Sequence, residues 1–283
     1  METMAEMIEK RRSERTYQET KLEAETLAGV NDLLSSYTRG PFGNEVRFIL
    51  LDLEQMEENE AKKLGTYGVI KGADLFIAGI VKEAEKAMED FGYCMENVIL
   101  RLTGMGLGTC WLAGTFKRKN FAQKIGLAED ELLPAVTPIG YIKDTRSWIE
   151  RVMRFLAGAR NRKPWEEMFF RGDFQTPLNK KMAGDYAPAV EAVRLGPSAS
   201  NKQPWIILKE PDKNFFHFFL KRSGGYLVSG GKIEIQNIDM GIAMCHFENV
   251  AMESGKKGNW ILSEAPPVAE NNNIEYIATW QEI

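Results

Sequence analysis

The chain reads as the same unit written twice. Tyr17-Gln18 realigns with Phe174-Gln175, 157 positions later, and Asn44 realigns with Asn201 at the same offset. Further along, Asp90-Phe91-Gly92 with Trp111 matches Asp239-Met240-Gly241 with Trp260. The Asp-to-Trp spacing is 21 residues in both copies, at an offset of 149. Periods of about 20–50 residues build solenoids. A period near 150 is the size of a domain, so two such units in one polypeptide amount to a fused dimer. The 283 residues are enough for two small domains with cores of their own. We place the first repeat at 1–159 and a more degenerate second repeat at 160–283, together one pseudo-dimeric unit.

The copies differ in a reciprocal way. Copy one opens with Arg11-Arg12-Ser13-Glu14-Arg15, where the offset of 157 puts Met168-Phe169-Phe170-Arg171-Gly172 in copy two. Copy two has Pro197-Ser198-Ala199-Ser200-Asn201-Lys202-Gln203-Pro204-Trp205, where copy one offers only Pro41-Phe42-Gly43-Asn44-Glu45-Val46-Arg47-Phe48. Copy one also has the glycine turn Gly104-Met105-Gly106-Leu107-Gly108, for which copy two has Glu253-Ser254-Gly255-Lys256-Lys257. A symmetric dimer carries two equivalent interface sites. A fused dimer can lose one of them, and the surviving pieces here add up to a single hybrid site.

Hydropathy places the elements. Helices are expected at Glu2 to Lys10, Leu22 to Tyr37, Ala84 to Leu102, Asn120 to Ile125, Lys180 to Leu195 and Ile235 to Met252. Strands are expected at Val46 to Leu53, Asp74 to Val81, Val136 to Ile142, Trp205 to Lys209, Phe215 to Phe219 and Ile274 to Trp280. The segment Thr145 to Glu167 joins the copies, helical at Trp148 to Leu156 and then basic at Arg160, Arg162 and Lys163. Strand and helix alternation with long apolar helices implies an α+β fold, one α/β sandwich per copy.

A net charge of −4 argues against nucleic acid and anionic membrane as partners. Cys94, Cys110 and Cys245 form neither a metal-ligand spacing nor an even disulfide set, which fits a reducing, cytoplasmic setting. The first 15 residues lack the apolar core of a signal peptide, and runs such as Leu75 to Val81 are too short to span a bilayer. A monomer acting on a small molecule is the expectation.

Four ordered motifs resemble those of FMN-dependent nitroreductases: Arg11-Arg12-Ser13-Glu14-Arg15, Gly106-Leu107-Gly108-Thr109-Cys110-Trp111-Leu112, Asn161-Arg162-Lys163-Pro164-Trp165-Glu166-Glu167, and Pro197 to Trp205. The tandem arrangement is similar to a group of nitroreductases with both halves in one chain. The resemblance implies a nitroreductase-like fold, with FMN at the interface of what are two subunits elsewhere. By that resemblance Arg11, Arg12, Ser13, Arg15, Arg162 and Lys163 hold the phosphate and ribityl chain. Arginine forks suit a phosphate dianion. Pro197, Ser198, Ala199, Asn201 and Gln203 come from the other half to the polar edge of the ring. Leu112, Ala113 and Gly114 match the segment whose backbone lies against the flavin, where a side chain at Gly114 would collide with the ring. The run from Tyr67 and Gly68 to Gly72 is a looser match for the pyrimidine end.

The implied activity is ping-pong: NADH or NADPH delivers hydride and leaves, and an electron-poor acceptor such as a nitroaromatic or quinone follows. No catalytic acid, base, nucleophile or metal cluster stands out, and flavin chemistry requires none. Blander readings stand beside this one. Charge runs usually face solvent, Pro, Ser and Asn favour turns, and glycines at 104 and 106 read better as a helix cap. His246, Trp111, Trp260 and the cysteines read as packing residues. A non-catalytic flavin- or ligand-binding protein and a scaffold with both sites dead are the alternatives to an enzyme.

Overall fold

A computed structural model describes residues 2–55, 68–143, 161–263 and 273–283. The helix expected at Trp148 to Leu156, Arg160 and the boundary between the repeats fall outside them.

Helix α1 (Met4–Lys10) starts at a capping box: Glu6 N–H donates to Thr3 Oγ1, and Thr3 N–H donates to Glu6 Oε2 at 2.8 Å. Helix α2 (Ala24–Ser36) precedes strand β1 (Val46–Asp52). Strand β2 (Leu75–Lys82), helix α3 (Ala87–Gly104), strand β3 (Leu107–Thr109), helix α4 (Arg118–Lys124) and strand β4 (Glu131–Tyr141) complete the first half. The sheet is antiparallel in the order β1-β2-β4-β3. Because side chains alternate along a strand, β2 is apolar on both faces. Ile77 and Val81 face α3, whereas Phe76, Ala78 and Ile80 face Phe116 and Phe121 around α4.

The second half contains strands β5 (Phe169–Arg171) and β6 (Asp173–Pro177), and helices α5 (Lys180–Ala183) and α6 (Ala187–Leu195). Strands β7 (Trp205–Lys209) and β8 (Phe215–Lys221) and the short β9 (Leu227–Val228) and β10 (Ile233–Glu234) lead into helix α7 (Ile235–Glu253). Strands β11 (Gly258–Ile261) and β12 (Ile274–Glu282) close it. The main sheet runs β11-β12-β8-β7-β5-β6. Gly184, at φ 59°, and Pro188 near the start of α6 divide the single helix expected over 180–195.

The order β1-β2-β4-β3 recurs as β7-β8-β12-β11, with α3 and α7 following β2 and β8. These two helices are apolar and buried on nearly every side, as a helix between two sheets must be. Helix α1 crosses over: Met4, Met7 and Ile8 join the core built by β7, β8, β12 and α7.

One sequence alignment is corrected by the topology. The offset of 157 equated the segment at Arg11 to Arg15 with 168–172. Ser13 bridges to Thr109 on β3, at one end of its sheet. Strand β5 pairs in parallel with β7, at the opposite end of the other sheet. The two segments are not structural counterparts, because Phe169–Arg171 enters the second sheet as an added strand. Among the described residues, no helix is long and apolar enough to cross a membrane.

Candidate functional site at the junction of the two halves

The segment following α1 is pinned along β3. Glu14 N–H donates to Thr109 O at 2.8 Å, Tyr17 N–H to Lys71 O at 2.9 Å, and Lys71 N–H to Arg15 O at 2.9 Å. A Cβ on Gly72 would lie 2.5 Å from Tyr17 O, so Gly72 makes room for this segment instead of for a ligand. Gly68 stands in open space at φ 73°, and Tyr67 lies outside the described residues.

That pinning buries Arg11, which is 7% exposed. Its nearest acid is Glu96, with Nε 3.8 Å from Oε1, too long for a hydrogen bond. Among the described residues, Arg11 Nε and Nη1 have no hydrogen-bond partner. Burial pulls its guanidinium below the usual arginine range, and the Glu96 charge opposes this. A buried, unsatisfied guanidinium is costly to keep and is well suited to receive an anion.

The opposite wall is the loop Pro197 to Trp205. Ser200, Asn201 and Gln203 have φ of 49°, 54° and 48°. Each non-glycine residue in the left-handed region costs about 1–3 kcal/mol, so the surroundings must hold the loop. They do so with a dense set of bonds. Ala199 N–H donates to Asp239 Oδ1 at 3.0 Å, and Gln203 N–H to Ser198 Oγ at 2.8 Å. Arg162 donates through Nη1 to Asn201 Oδ1 at 2.9 Å and through Nη2 to Leu195 O at 3.0 Å. Lys163 N–H donates to Gln203 Oε1 at 2.9 Å, and Lys163 Nζ to Gln203 O at 3.1 Å. Asn201 Nδ2 donates to Asn161 O at 2.9 Å.

The two walls meet through charge. Burial, and then the positive charges of Arg11, Arg194 and Arg12, bring the Arg162 guanidinium down to about 10. Four arginines from three chain segments thus gather in one place. Arg194 is held by Glu191, with Nε to Oε2 at 2.9 Å. Arg12 is exposed, and also lines a cleft of about 250 Å³ with Lys10, Glu14, Thr103 and Gly106.

Beneath Arg11, a buried tie joins the halves. Glu96 accepts from Trp111 Nε1 at 2.7 Å and meets His246 Nε2 at 2.9 Å. His246 Nδ1 lies 2.8 Å from Ala192 O, an acceptor, so that nitrogen carries a proton. The tie anchors α6, whose end supplies Arg194 and the carbonyl that orients Arg162.

The remaining sequence-derived residues fall as follows. Ser13 and Arg15 gather around Cys110, whose buried thiol is raised by desolvation and eased back by Arg15, Arg11 and the Ser13 hydroxyl. Lys163 and Gln203 brace each other, so their principal contacts are structural. Pro197 is half-buried at the loop's start. Leu112 is 2% exposed in the core behind the sheet, and its N–H and C=O are both bonded to Val136. Ala113 O accepts from Arg118. A Cβ on Gly114 would meet nothing within 4 Å, so Gly114 borders open space. Arg194, Glu96 and Asp239 escaped the sequence reading. Asp239 was visible only as an alignment marker, and Arg194 resembles any cation in a last helical turn.

Residues 3–251 match a protein family described as "Putative TM nitroreductase". A curated relative, the "Putative NADH dehydrogenase/NAD(P)H nitroreductase" of Archaeoglobus fulgidus, is 26% identical over 180 residues, which cover 58% of this chain and 100% of the relative. The crystal structure of a "putative nitroreductase" of Thermotoga maritima matches with a TM-score of 0.61 at 18% identity, over 99% of this chain and 92% of that one. An "FMN-dependent Nitroreductase" of Clostridium difficile covers 50% of this chain and 88% of its own length, at 20% identity and a TM-score of 0.40. With a mixed α+β fold shared with the Thermotoga protein and a family match spanning most of its length, the chain belongs to this nitroreductase family of oxidoreductases.

Proposed function

We propose that the chain is a fused dimer of the nitroreductase fold that holds one FMN between its halves and reduces electron-poor acceptors with NADH or NADPH. The observation that carries this reading is the arginine cluster around the buried Arg11. Among the described residues, Arg11 Nε and Nη1 have no hydrogen-bond partner, and Arg162 is lowered by burial and then by its like-charged neighbours, a donor set that a phosphate dianion would complete. Arg11 and Arg12 come from the first half and Arg162 from the segment beyond it. Asn201, bonded to Arg162, and Ser198 belong to the second half and would meet the ribityl hydroxyls or the polar edge of the ring. The open space at Gly114 would admit the ring.

When bound, FMN supplies the hydride exchange itself, and the protein contributes binding, orientation and electrostatics. The reductant and an acceptor, a nitroaromatic or a quinone, would use the same face in turn, which gives ping-pong kinetics. The arginine cluster would fix the phosphate end, and the Pro197 to Trp205 loop would orient the ring.

Riboflavin lacks the phosphate and separates the cluster's contribution from general flavin binding. A charge-assisted contact is worth about 1.5–3 kcal/mol, so Arg11→Ala and Arg162→Ala should each weaken FMN by about 10- to 100-fold while leaving riboflavin nearly unchanged. Equal losses for both ligands, or unchanged FMN affinity, would remove the phosphate assignment.

A further inference from the structure

The two halves hold equivalent loops in two different ways. In the first half, Asp90 at the start of α3 satisfies both carboxylate oxygens. Phe42 N–H donates to Oδ1 at 2.9 Å, while Asn44 N–H and Nδ2 both donate to Oδ2 at 2.9 Å. Asp239 occupies the matching position in α7, and Ala199 N–H donates to its Oδ1 at 3.0 Å, as Phe42 does to Asp90. The match then stops. Asn201, the counterpart of Asn44, donates its N–H to Ser198 O at 2.9 Å and its Nδ2 to Asn161 O. Among the described residues, Asp239 Oδ2 has no hydrogen-bond partner.

The backbone differs at the same place. The first loop has glycine at its left-handed position, Gly43 at φ 94°. The second has Ser200 there at φ 49°, followed by Asn201 and then Gln203, also left-handed. Serine resists the wider angle that glycine takes readily.

We infer that Asp239 is a positioning residue that competes with the Ser198 and Asn161 carbonyls for the N–H donors of Asn201, giving the loop Pro197 to Trp205 a second docked state that draws Asn201 away from Arg162. In that state Asn201 sits on Asp239 as Asn44 sits on Asp90, and the wall facing the arginine cluster is dismantled. In the described state Asn201 is on Arg162, and the buried Asp239 carboxyl is left with one donor. Desolvation raises it well above the usual carboxylate range. A ligand that needs Asn201 beside Arg162 binds only the described arrangement. Its apparent affinity is reduced by the fraction of time the loop spends on Asp239.

This inference rests on the flavin reading for its ligand, and its test separates the two. Asp239→Asn keeps an acceptor for Ala199 N–H and removes the second acceptor for Asn201. If the ligand-free loop is in the site-forming state for about 10–30% of the time, Asp239→Asn tightens FMN by about 3- to 10-fold. A residue with a merely structural role would loosen FMN when replaced. Ser200→Gly, at an exposed position, supplies the glycine found in the first loop and should weaken FMN. Amide hydrogen exchange across residues 197–205 of the ligand-free protein should slow in Asp239→Asn and quicken in Ser200→Gly. FMN affinity that is unchanged or weaker in Asp239→Asn, with the parent protein still binding FMN, overturns the inference and leaves the flavin reading intact. If the parent protein binds no FMN, the flavin reading fails and hydrogen exchange alone decides. Equal exchange in the three proteins then overturns the second docked state, and the opposed changes uphold it.

Discussion

Gly92 and Gly241 each face the backbone of the other's helix in reciprocal register. A Cβ on Gly92 would lie 2.2 Å from Ile238 O, and a Cβ on Gly241 would lie 2.0 Å from Glu89 O. Each glycine meets the residue three positions before the other, which is the signature of a local twofold axis crossing α3 and α7. The obstruction in each case is a carbonyl in a packed helix, not a side chain that could swing away.

Gly92→Ala and Gly241→Ala should therefore each force the two central helices apart. Overpacking of this kind costs about 1–3 kcal/mol, occasionally more, and backbone obstruction places both variants at or above the upper end. Urea unfolding measures the loss. Because both sheets pack on this helix pair, probes in either half should report the same shifted midpoint. Alanine variants with parental stability would contradict the packing described.

Glu96 should be the most sensitive buried polar residue at the junction. It is fully buried between Trp111 and His246. Glu96→Ala leaves an indole N–H and an imidazole nitrogen in the core without their partner. Breaking a buried pair costs about 3–5 kcal/mol, whereas Glu96→Gln keeps one acceptor and should cost less. Denaturant melts of the two variants at neutral pH give the comparison, and equal stabilities would show that the tie contributes little.

Acid should break the ion pair that links β1 to β4 across β2. Arg47 grips Glu131 with Nε to Oε1 and Nη2 to Oε2 both at 2.7 Å, and holds the carboxyl at about 2 against an ordinary value of 4.5. A lowered folded pKa means stability that is complete above about pH 4.5 and is lost as pH falls towards 2. The Arg47 side chain is 44% exposed, so solvent limits the contribution to about 1 kcal/mol. Glu131→Gln should be less stable than the parent near neutral pH by that amount and equal to it near pH 2. A constant difference across that window would contradict the pairing.

The long periodic elements were legible in the sequence because their apolar patterns run for many residues. Ile235 to Met252 and Ala84 to Leu102 nearly coincide with α7 and α3. Three-residue strands such as Leu107–Thr109 and Phe169–Arg171 carry too few residues to show a period, and the sheets supply their partners. Of the candidate site, the sequence suggested the charges: Arg11 and Arg162 are a long way apart in sequence, and the fold brings them within reach of each other's fields. It was not legible where packing decides. Nothing in Leu112-Ala113-Gly114 reveals that Leu112 turns into the core, and nothing in Lys163 or Gln203 reveals that each engages the other. Equal spacing also misled, since Ser13 and Phe170 share an offset but join opposite ends of their sheets.

The central claim is one flavin site shared by two halves, and its most direct test is stoichiometry. The protein is saturated with FMN, desalted, and its flavin absorbance compared with its protein concentration. One FMN per chain, lost in Arg11→Ala, is the expected result. Two per chain would mean that each half holds a complete site, and none would mean that the arginine cluster serves another ligand.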